Sequence, residues 1–172
     1  MPAPLKIFLI GMMGSGKSVT GRSLAGMIQA KFIDLDRNVE KRAGLSIDGI
    51  FKKHGEEQFR EMESRELQAL ADLPGILVVA TGGGLVLRPK NVHWIKDHGT
   101  TVYLEASPDV LWQRVKDNRR RPLLKAGNPR AVLDQLCRER QPIYEEASAF
   151  RVQTDGRTAE DVAEEIREKL EL

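Results

Sequence analysis

The feature that most constrains this chain is a glycine-rich segment near its start, Gly11-Met12-Met13-Gly14-Ser15-Gly16-Lys17-Ser18. It matches the pattern G-x-x-x-x-G-K-[ST], in which glycines let the backbone turn so that several N–H groups point at one anion. Apolar residues 6–10 before the segment predict a buried strand, and residues 17–29 after it predict a helix. A strand, this loop and a helix N-terminus in succession predict a phosphate-binding P-loop.

The P-loop pattern assigns roles to individual residues. Lys17 would reach the β- and γ-phosphates of a nucleoside triphosphate, and the Ser18 hydroxyl would hold Mg²⁺. The residues that we expect to contact the nucleotide are Gly14, Ser15, Gly16, Lys17, Ser18 and Val19.

Length and charge limit the class of protein. A chain of 172 residues suits a single domain, and a net charge of +2 gives no electrostatic case for a nucleic-acid or membrane partner. The single cysteine, Cys137, excludes an internal disulfide, and no segment is apolar for long enough to span a bilayer. We expect a single-domain, cytoplasmic monomer.

Strand and helix patterns alternate along the chain. After the first strand, further strands are predicted over residues 31–33, 76–80, 101–104 and 150–153. Helices are predicted over residues 37–43, 46–54, 56–71, 89–98, 107–116, 129–147 and 158–170, with a break at Gly55 and a bend or break at Pro142. This order predicts an α/β fold: a five-stranded parallel sheet flanked by helices on both faces.

Ligands of such sheets bind beyond the carboxyl ends of the strands, where the P-loop lies. Asp34 and Asp36 follow the second strand, and on an extended backbone two residues of this spacing point the same way. One would orient the Mg²⁺ hydration shell and the other would hold a substrate hydroxyl. The strand before Gly82-Gly83-Gly84 has no terminal aspartate, so Asp34 is the expected metal ligand with Ser18.

Arginines are candidates for binding anions, because the guanidinium fork matches carboxylate and phosphate oxygens. Arg60 and Arg140 stand out by their sequence setting. Residues 117–128 are polar, are interrupted by proline and glycine, and carry Arg119-Arg120-Arg121, which predicts a lid that closes over the triphosphate. The three histidines have no metal-binding spacing.

These motifs together resemble the shikimate kinase family. The resemblance is carried by the P-loop, Asp34-x-Asp36, Gly55-Glu56-x-x-Phe59-Arg60-x-x-Glu63, Gly82-Gly83-Gly84, Arg121-Pro122-Leu123-Leu124 and Arg140-x-x-x-Tyr144. It covers essentially the whole chain, in order. Val19 departs from the family, which usually has Thr or Ser there, but Ser18 is in place.

The resemblance implies a fold like that of the nucleoside-monophosphate kinases. It has a P-loop core, a shikimate-binding insertion at about 34–62 and a lid at about 114–127. It also implies phosphorylation of the 3-hydroxyl of shikimate by ATP with Mg²⁺, in the pathway to aromatic amino acids.

The same resemblance implies roles for site residues. Lys17, Asp36 and Arg121 would be catalytic, with Arg121 reaching the phosphates from the lid. Asp36 would also bind the ring hydroxyls of shikimate. The other expected substrate ligands are Arg60 and Arg140, which would hold the carboxylate, and Gly82 and Gly83, which would contact the substrate through the backbone. Arg157 aligns with a position near the adenine. Whether Asp34 or Asp36 accepts the hydroxyl proton stays open.

Two alternatives share some of these motifs. Another small-molecule P-loop kinase, such as a gluconate or nucleoside-monophosphate kinase, would share the P-loop and the lid. A nucleotide-dependent switch would need D-x-x-G after a strand, but Asp72-Leu73-Pro74-Gly75 precedes one. An acceptor site with Asp36, Arg60 and glycines suits an anionic polyol better than a nucleobase.

Overall fold

A single parallel sheet organises the protein. The structure is a computed structural model that describes residues 5–118, 121–125 and 127–172. The strands are β1 (Lys6–Ile10), β2 (Lys31–Asp34), β3 (Leu77–Ala80), β4 (Thr100–Glu105) and β5 (Phe150–Gln153), in the spatial order β2-β3-β1-β4-β5. Every pair of neighbours is parallel, which confirms the predicted five-stranded parallel sheet.

Seven α-helices flank this sheet within the described residues. They are α1 (Lys17–Met27), α2 (Leu35–Ala43), α3 (Ile47–Gln68), α4 (Pro89–His98), α5 (Pro108–Val115), α6 (Pro129–Ala147) and α7 (Ala159–Lys169). Leu85–Leu87 and Pro122–Leu124 form single 3₁₀ turns. Ser46, Ser107, Asn128 and Thr158 cap their helices with side-chain oxygens that accept backbone N–H groups, as expected for these residue types. None of the described helices is long and apolar enough to cross a membrane.

Each face of the sheet has its own apolar core. β1 is fully buried, and its side chains alternate between the two cores because successive strand residues point to opposite faces. Ile7 and Leu9 pack with residues of α1 and α7, while Phe8 and Ile10 pack with Tyr144 of α6 and other residues of the opposite face. Burial on both faces explains the continuous apolar sequence of β1.

The central position of β1 creates the binding crevice. β2 and β3 lie on one side of β1, and β4 and β5 lie on the other. Where the strand order reverses in this way, the loops that follow neighbouring strands run to opposite sides of the sheet. A crevice is left between these loops, at the carboxyl ends of the strands. The P-loop begins at Gly11, directly after β1, and therefore lies in this crevice.

The structure agrees with the sequence prediction at Gly55 and differs from it at two other places. The break expected at Gly55 is present as a kink within α3, where Gly55 adopts the non-helical angles φ 81° and ψ 168°. Of the bend or break expected at Pro142, the break is absent, because α6 continues through Pro142 to Ala147. α2 begins at Leu35, two residues before the predicted start, so Asp36 lies on a helix and not on an extended backbone.

Candidate active site

Lys17 closes the P-loop over its own backbone. Its ammonium donates hydrogen bonds of 2.8 Å to the carbonyl oxygens of both Gly11 and Met12. Gly14 and Gly16 have φ of 79° and 90°, a left-handed backbone that glycine adopts without a steric penalty. The loop thus turns tightly enough to leave α1 with its N-terminus, the positive end of the helix dipole, directed at the crevice.

The electrostatic setting of Lys17 suits an anionic ligand. The pKa of Lys17 is lowered to about 8, mainly by burial; Arg121 and Arg140 act in the same direction, whereas Asp36 and Asp34 act to raise it. A phosphate group beside the ammonium would favour its charged form. The lysine is therefore placed where a bound triphosphate would complete its charge balance.

Asp34 joins the P-loop to the second strand. The Ser18 hydroxyl donates a 2.7 Å hydrogen bond to one carboxylate oxygen of Asp34, and the other oxygen accepts from the Arg37 N–H at 3.3 Å, as the N-cap of α2. Mg²⁺ prefers oxygen ligands and takes one or two from the protein, with water and phosphate oxygens completing the octahedron. Ser18 and Asp34 fit that description.

The expected extended backbone from Asp34 to Asp36 is wrong, although both side chains line the crevice. Asp34 ends β2 and caps α2, whereas Asp36 lies in the first turn of α2. Asp36 still lines the crevice, and its Oδ1 is buried with no hydrogen-bond partner among the described residues. Burial raises the pKa of Asp36, and Lys17 opposes that effect. A buried acceptor without a partner is suited to a ligand hydroxyl.

Two neighbouring cavities meet at Asp36. The nucleotide cavity, about 300 Å³, is lined by Met13, Gly14, Gly16, Lys17, Ser18, Val19, Asp34, Asp36, Arg37, Thr81, Gly83 and Arg121. The acceptor cavity, about 140 Å³, is lined by Met13, Asp36, Glu40, Ile47, Phe51, Phe59, Arg60, Glu63, Gly82, Gly83, Gly84, Arg121, Pro122, Leu123 and Arg140. Of residues 14–19, which we expect to contact the nucleotide, all except Ser15 line the first cavity, and the predicted substrate residues all line the second.

Two buried arginines bring guanidinium groups to the wall of the acceptor cavity. Arg60 is 8% exposed and Arg140 is 5% exposed, which is rare for charged side chains. The Arg60 guanidinium donates to a Glu63 oxygen at 2.7 Å and to a Glu56 oxygen at 3.2 Å, and lies 5.2 Å from the centre of the Phe59 ring. These contacts fix Arg60 before any ligand binds.

Glu63 is a site residue to which the sequence analysis assigned no role. It is 1% exposed, and its Oε1 has no partner among the described residues, while Oε2 accepts from Arg60. Burial raises the pKa of Glu63 to about 7, although Arg60 opposes that effect. The sequence did carry a signal, because residues three apart on a helix share a face, and Glu63 follows Arg60 by three.

The three glycines after β3 let the loop approach these side chains closely. A Cβ atom on Gly82 would lie 2.1 Å from Glu63 Oε1, and one on Gly84 would lie 2.4 Å from Arg60 Nη1. Gly83 has more room, with no neighbour nearer than 3.5 Å to such an atom, and its carbonyl oxygen accepts a short hydrogen bond from the Tyr144 hydroxyl. A side chain at Gly82 or Gly84 would thus displace the Glu63 carboxylate or the Arg60 guanidinium of α3.

Arg121 lies at the junction of the two cavities. It lines both of them, and its Nε is buried with no partner among the described residues. Burial lowers the pKa of Arg121, and Asp36 opposes that effect. The neighbouring lid residues Arg119, Arg120 and Ala126, although part of the predicted lid, lie outside the described residues.

Of two further arginines, the predicted adenine contact lies between β5 and α7, and an unforeseen one contacts the P-loop. Arg157 donates to the carbonyl oxygens of Gln153 and Asp161, each at 3.0 Å, and pairs with Glu165 of α7. Its role toward adenine stays a prediction. Arg114, which the sequence analysis did not single out, donates to the Gly14 carbonyl oxygen at 3.0 Å and to the Thr154 carbonyl oxygen at 3.2 Å.

A P-loop at the carboxyl edge of a parallel sheet, beside a small cavity with two buried arginines, defines a P-loop kinase that acts on a small anionic acceptor. The comparisons with known proteins agree. The family model for shikimate kinase matches residues 13–171, and the chain belongs to the shikimate kinase family.

Individual relatives cover most of the chain. A shikimate kinase of Synechococcus sp. (strain JA-3-3Ab) is 51% identical over 144 residues, which are 82% of this chain and 74% of the relative. One of Vibrio parahaemolyticus is 43% identical over 165 residues, 96% of this chain and 95% of the relative.

Solved structures give the same result for the fold. Shikimate kinase from Acinetobacter baumannii, in complex with shikimate, has a TM-score of 0.92 at 33% identity and covers 98% of this chain and 94% of that one. Shikimate kinase from Aquifex aeolicus has a TM-score of 0.84 at 36% identity, and the match covers 97% of this chain and 96% of that one. The fold predicted from the sequence, like that of the nucleoside-monophosphate kinases, is confirmed.

Proposed function

We propose that this protein transfers the γ-phosphoryl group of ATP to the 3-hydroxyl of shikimate, with the reaction at the junction of its two cavities. The observation that carries the proposal is the convergence of Asp36, Arg60 and Arg140 in one buried cavity that opens beside the P-loop. Shikimate is a small ring with one carboxylate and several hydroxyls. Two guanidiniums and one unpartnered carboxylate oxygen match its two ends.

The arginines would bind the carboxylate of shikimate. Arg60 is held by Glu63 and Glu56, so little side-chain freedom is lost when a ligand binds to it. Arg140 approaches from α6, on another side of the cavity. Two rigid forks that converge from different helices orient a planar carboxylate better than a single flexible lysine would.

Asp36 would hold the reacting end of the substrate. Its unpartnered Oδ1 would accept a hydrogen bond from a ring hydroxyl, and Asp36 lines both cavities. That placement directs the hydroxyl at the nucleotide cavity. Phosphoryl transfer depends mainly on positioning and charge stabilisation, so a strong general base is not required, and either Asp36 or Asp34 can take the proton.

Lys17 and Arg121 would stabilise the charge on the group in transfer. Lys17 lies at the P-loop end of the nucleotide cavity and Arg121 at its border with the acceptor cavity. The two cations thus approach the transferring group from two sides. Mg²⁺ would be held by Ser18 and Asp34, and when bound it neutralises negative charge on the β- and γ-phosphate oxygens.

The proposal includes the organisation and the setting of the protein. Residues 34–62 would form the shikimate-binding part and residues 114–127 the lid, although residues 114–115 are still part of α5. The protein would act as a cytoplasmic monomer without nucleic-acid or membrane partners. Its single cysteine and its net charge of +2 support that setting.

The test is an assay coupled to ADP release, with shikimate, gluconate and nucleoside monophosphates as acceptors. We expect turnover with shikimate far above that with the others. Arg60→Lys and Arg140→Lys should each lower kcat/KM for shikimate roughly ten- to a hundredfold, because a charge-assisted hydrogen bond contributes about 1.5–3 kcal/mol. Affinity for ATP alone should barely change. A shikimate amide phosphorylated as well as shikimate would overturn the role of both arginines.

A further inference from the structure

A short part of the lid rests against the start of α3. The clasp segment, defined here as residues 121–125, contributes Pro122 and Leu123 to the wall of the acceptor cavity. Ile47 and Phe51, from the first turns of α3, line the same cavity. Shikimate bound there would therefore be enclosed partly by the clasp segment and partly by α3.

An ion pair joins the end of this segment to α3. Lys125 Nζ donates a 2.6 Å hydrogen bond to Asp48 Oδ1, and the other oxygen of Asp48 is 2.8 Å from Lys52 Nζ, one turn along the same helix. The hydrogen bond from Lys125, followed by that from Lys52, lowers the pKa of Asp48. The Asp48 carboxylate thus lies between a lysine of the lid and a lysine of its own helix.

We propose that the Asp48–Lys125 pair is a clasp that holds the clasp segment over the acceptor cavity, and so positions Leu123 against the bound substrate and Arg121 toward the phosphate in transfer. Neither Asp48 nor Lys125 lines either cavity, so both act as positioning residues. Only three residues separate Lys125 from Arg121, and between them Leu124 is buried in the core. A restraint at Lys125 therefore limits where Arg121 can lie.

The expected effect is modest and is expressed mainly in KM. The Lys125 side chain is 41% exposed, and exposed ion pairs contribute little to stability. Loss of this pair should therefore change the equilibrium between the closed and open positions of the clasp segment about two- to fivefold. If shikimate binds beneath the clasp, a weaker clasp lowers the population of the closed state and raises KM for shikimate. The rate of the chemical step, once the lid is closed, should change less than KM.

The chain supplies a matched control. Lys125→Met and Lys52→Met each remove one positively charged partner of the Asp48 carboxylate. Only Lys125→Met breaks a contact between α3 and the lid. We expect Lys125→Met to raise KM for shikimate about two- to fivefold, with a smaller change in kcat, and Lys52→Met to leave both parameters near those of the wild type. Equal KM values in the two variants would overturn the clasp.

Exchanging the charges of Asp48 and Lys125 tests whether the effect comes from the ion pair or from side-chain packing. In a Lys52→Met background, Lys125→Glu alone should raise KM more than Lys125→Met, since two like charges would then face each other. Adding Asp48→Lys to Lys125→Glu should bring KM back toward that of the background. The KM ratio of single and double variants should shrink at about 1 M salt, where the Debye length is about 3 Å. Failure of the double variant to recover would also reject the clasp.

Because the clasp rests on the proposed function, one measurement must not depend on turnover. Amide hydrogen exchange in a peptide covering residues 121–125 of the free protein should be faster in Lys125→Met than in Lys52→Met. No phosphorylation of shikimate by the wild type would refute the proposed function and leave this comparison valid. Equal exchange in the two variants would refute the clasp alone, and faster exchange with an unchanged KM would refute its positioning role.

Discussion

The Ser18 hydroxyl lies 2.7 Å from the Asp34 carboxylate and connects the P-loop to the end of β2. The same carboxylate caps α2, and Asp36 follows in the first turn of that helix. A single strand-to-helix junction therefore supplies the expected metal ligand and the expected substrate ligand. Because the junction is short and capped, the backbone fixes the position of Asp36 relative to Asp34.

Replacing Lys17 with methionine should lower kcat roughly 10²–10³-fold, the usual cost of removing one electrostatic stabiliser of a transition state. Lys17 is the cation that the P-loop carries into the nucleotide cavity. The substitution also removes two hydrogen bonds to the loop backbone, so the urea-unfolding free energy should be measured alongside kcat. Near-normal turnover in a folded Lys17→Met protein would contradict the role of the lysine.

Arg121→Ala should lower kcat more than it weakens shikimate binding. Arg121 lines both cavities, and its unpartnered Nε is free to bind a phosphate oxygen, whereas Arg60 and Arg140 remain to hold the carboxylate. Single-turnover rates and shikimate affinity, measured separately, would distinguish these effects. A variant that loses affinity and keeps its rate would place Arg121 on the substrate instead of the phosphate.

The fold could be predicted from the sequence because its signals are local. The P-loop and the continuous apolar runs of β1 and β3 are each readable within a short window. The predicted start of α2 is two residues late for a local reason. Asp34 both ends a strand and caps a helix, and the strand pattern alone does not indicate its capping role. Pro142 is tolerated within α6 on an exposed face, where water can satisfy the carbonyl that its missing N–H leaves free.

Several residues that line the two cavities could be predicted from the sequence, but their contacts could not. Which of the candidate arginines are buried depends on tertiary packing, and so does the contact of Gly84 with the Arg60 guanidinium, which lies 24 positions earlier in the chain. The clasp between Asp48 and Lys125 is likewise a long-range pair of two common surface residue types. No pattern within a short window distinguishes such residues from ordinary solvated charges.

Gly84→Ala tests the close approach of the glycine loop to Arg60. Alanine is compatible with the backbone of Gly84 (φ −101°, ψ 4°), but its Cβ would lie 2.4 Å from Arg60 Nη1. Displacing the guanidinium should lower kcat/KM for shikimate roughly tenfold or more, the equivalent of one charge-assisted hydrogen bond.

Gly26→Ala is the matched control for that change, because a Cβ there meets no atom within 4 Å. It should leave kcat/KM unchanged and stabilise α1 by about 0.5–1 kcal/mol. If Gly84→Ala retained full activity, Arg60 would have to be mobile, contrary to its contacts with Glu63 and Glu56.

Glu63 predicts a pH dependence of stability with a defined sign. Burial raises its pKa from about 4.5 in the unfolded chain to about 7 in the folded protein. Between these values the folded state binds more protons at Glu63 than the unfolded state does. The contribution of Glu63 to the free energy of unfolding therefore falls as the pH rises from about 4.5 to 7, by about 3 kcal/mol at most.

The measurement compares urea unfolding of the wild type and Glu63→Gln from pH 4.5 to pH 8, since glutamine has the same shape and does not titrate. The wild-type advantage over Glu63→Gln should shrink as the pH rises. Glu61→Gln, measured down to about pH 3, gives the opposite control, because a hydrogen bond from Arg88 lowers the pKa of Glu61, so its stabilising contribution is lost as the pH falls below about 4.5. A pH-independent difference at Glu63 would mean that Arg60 keeps the carboxylate ionised throughout, and that burial does not control its proton.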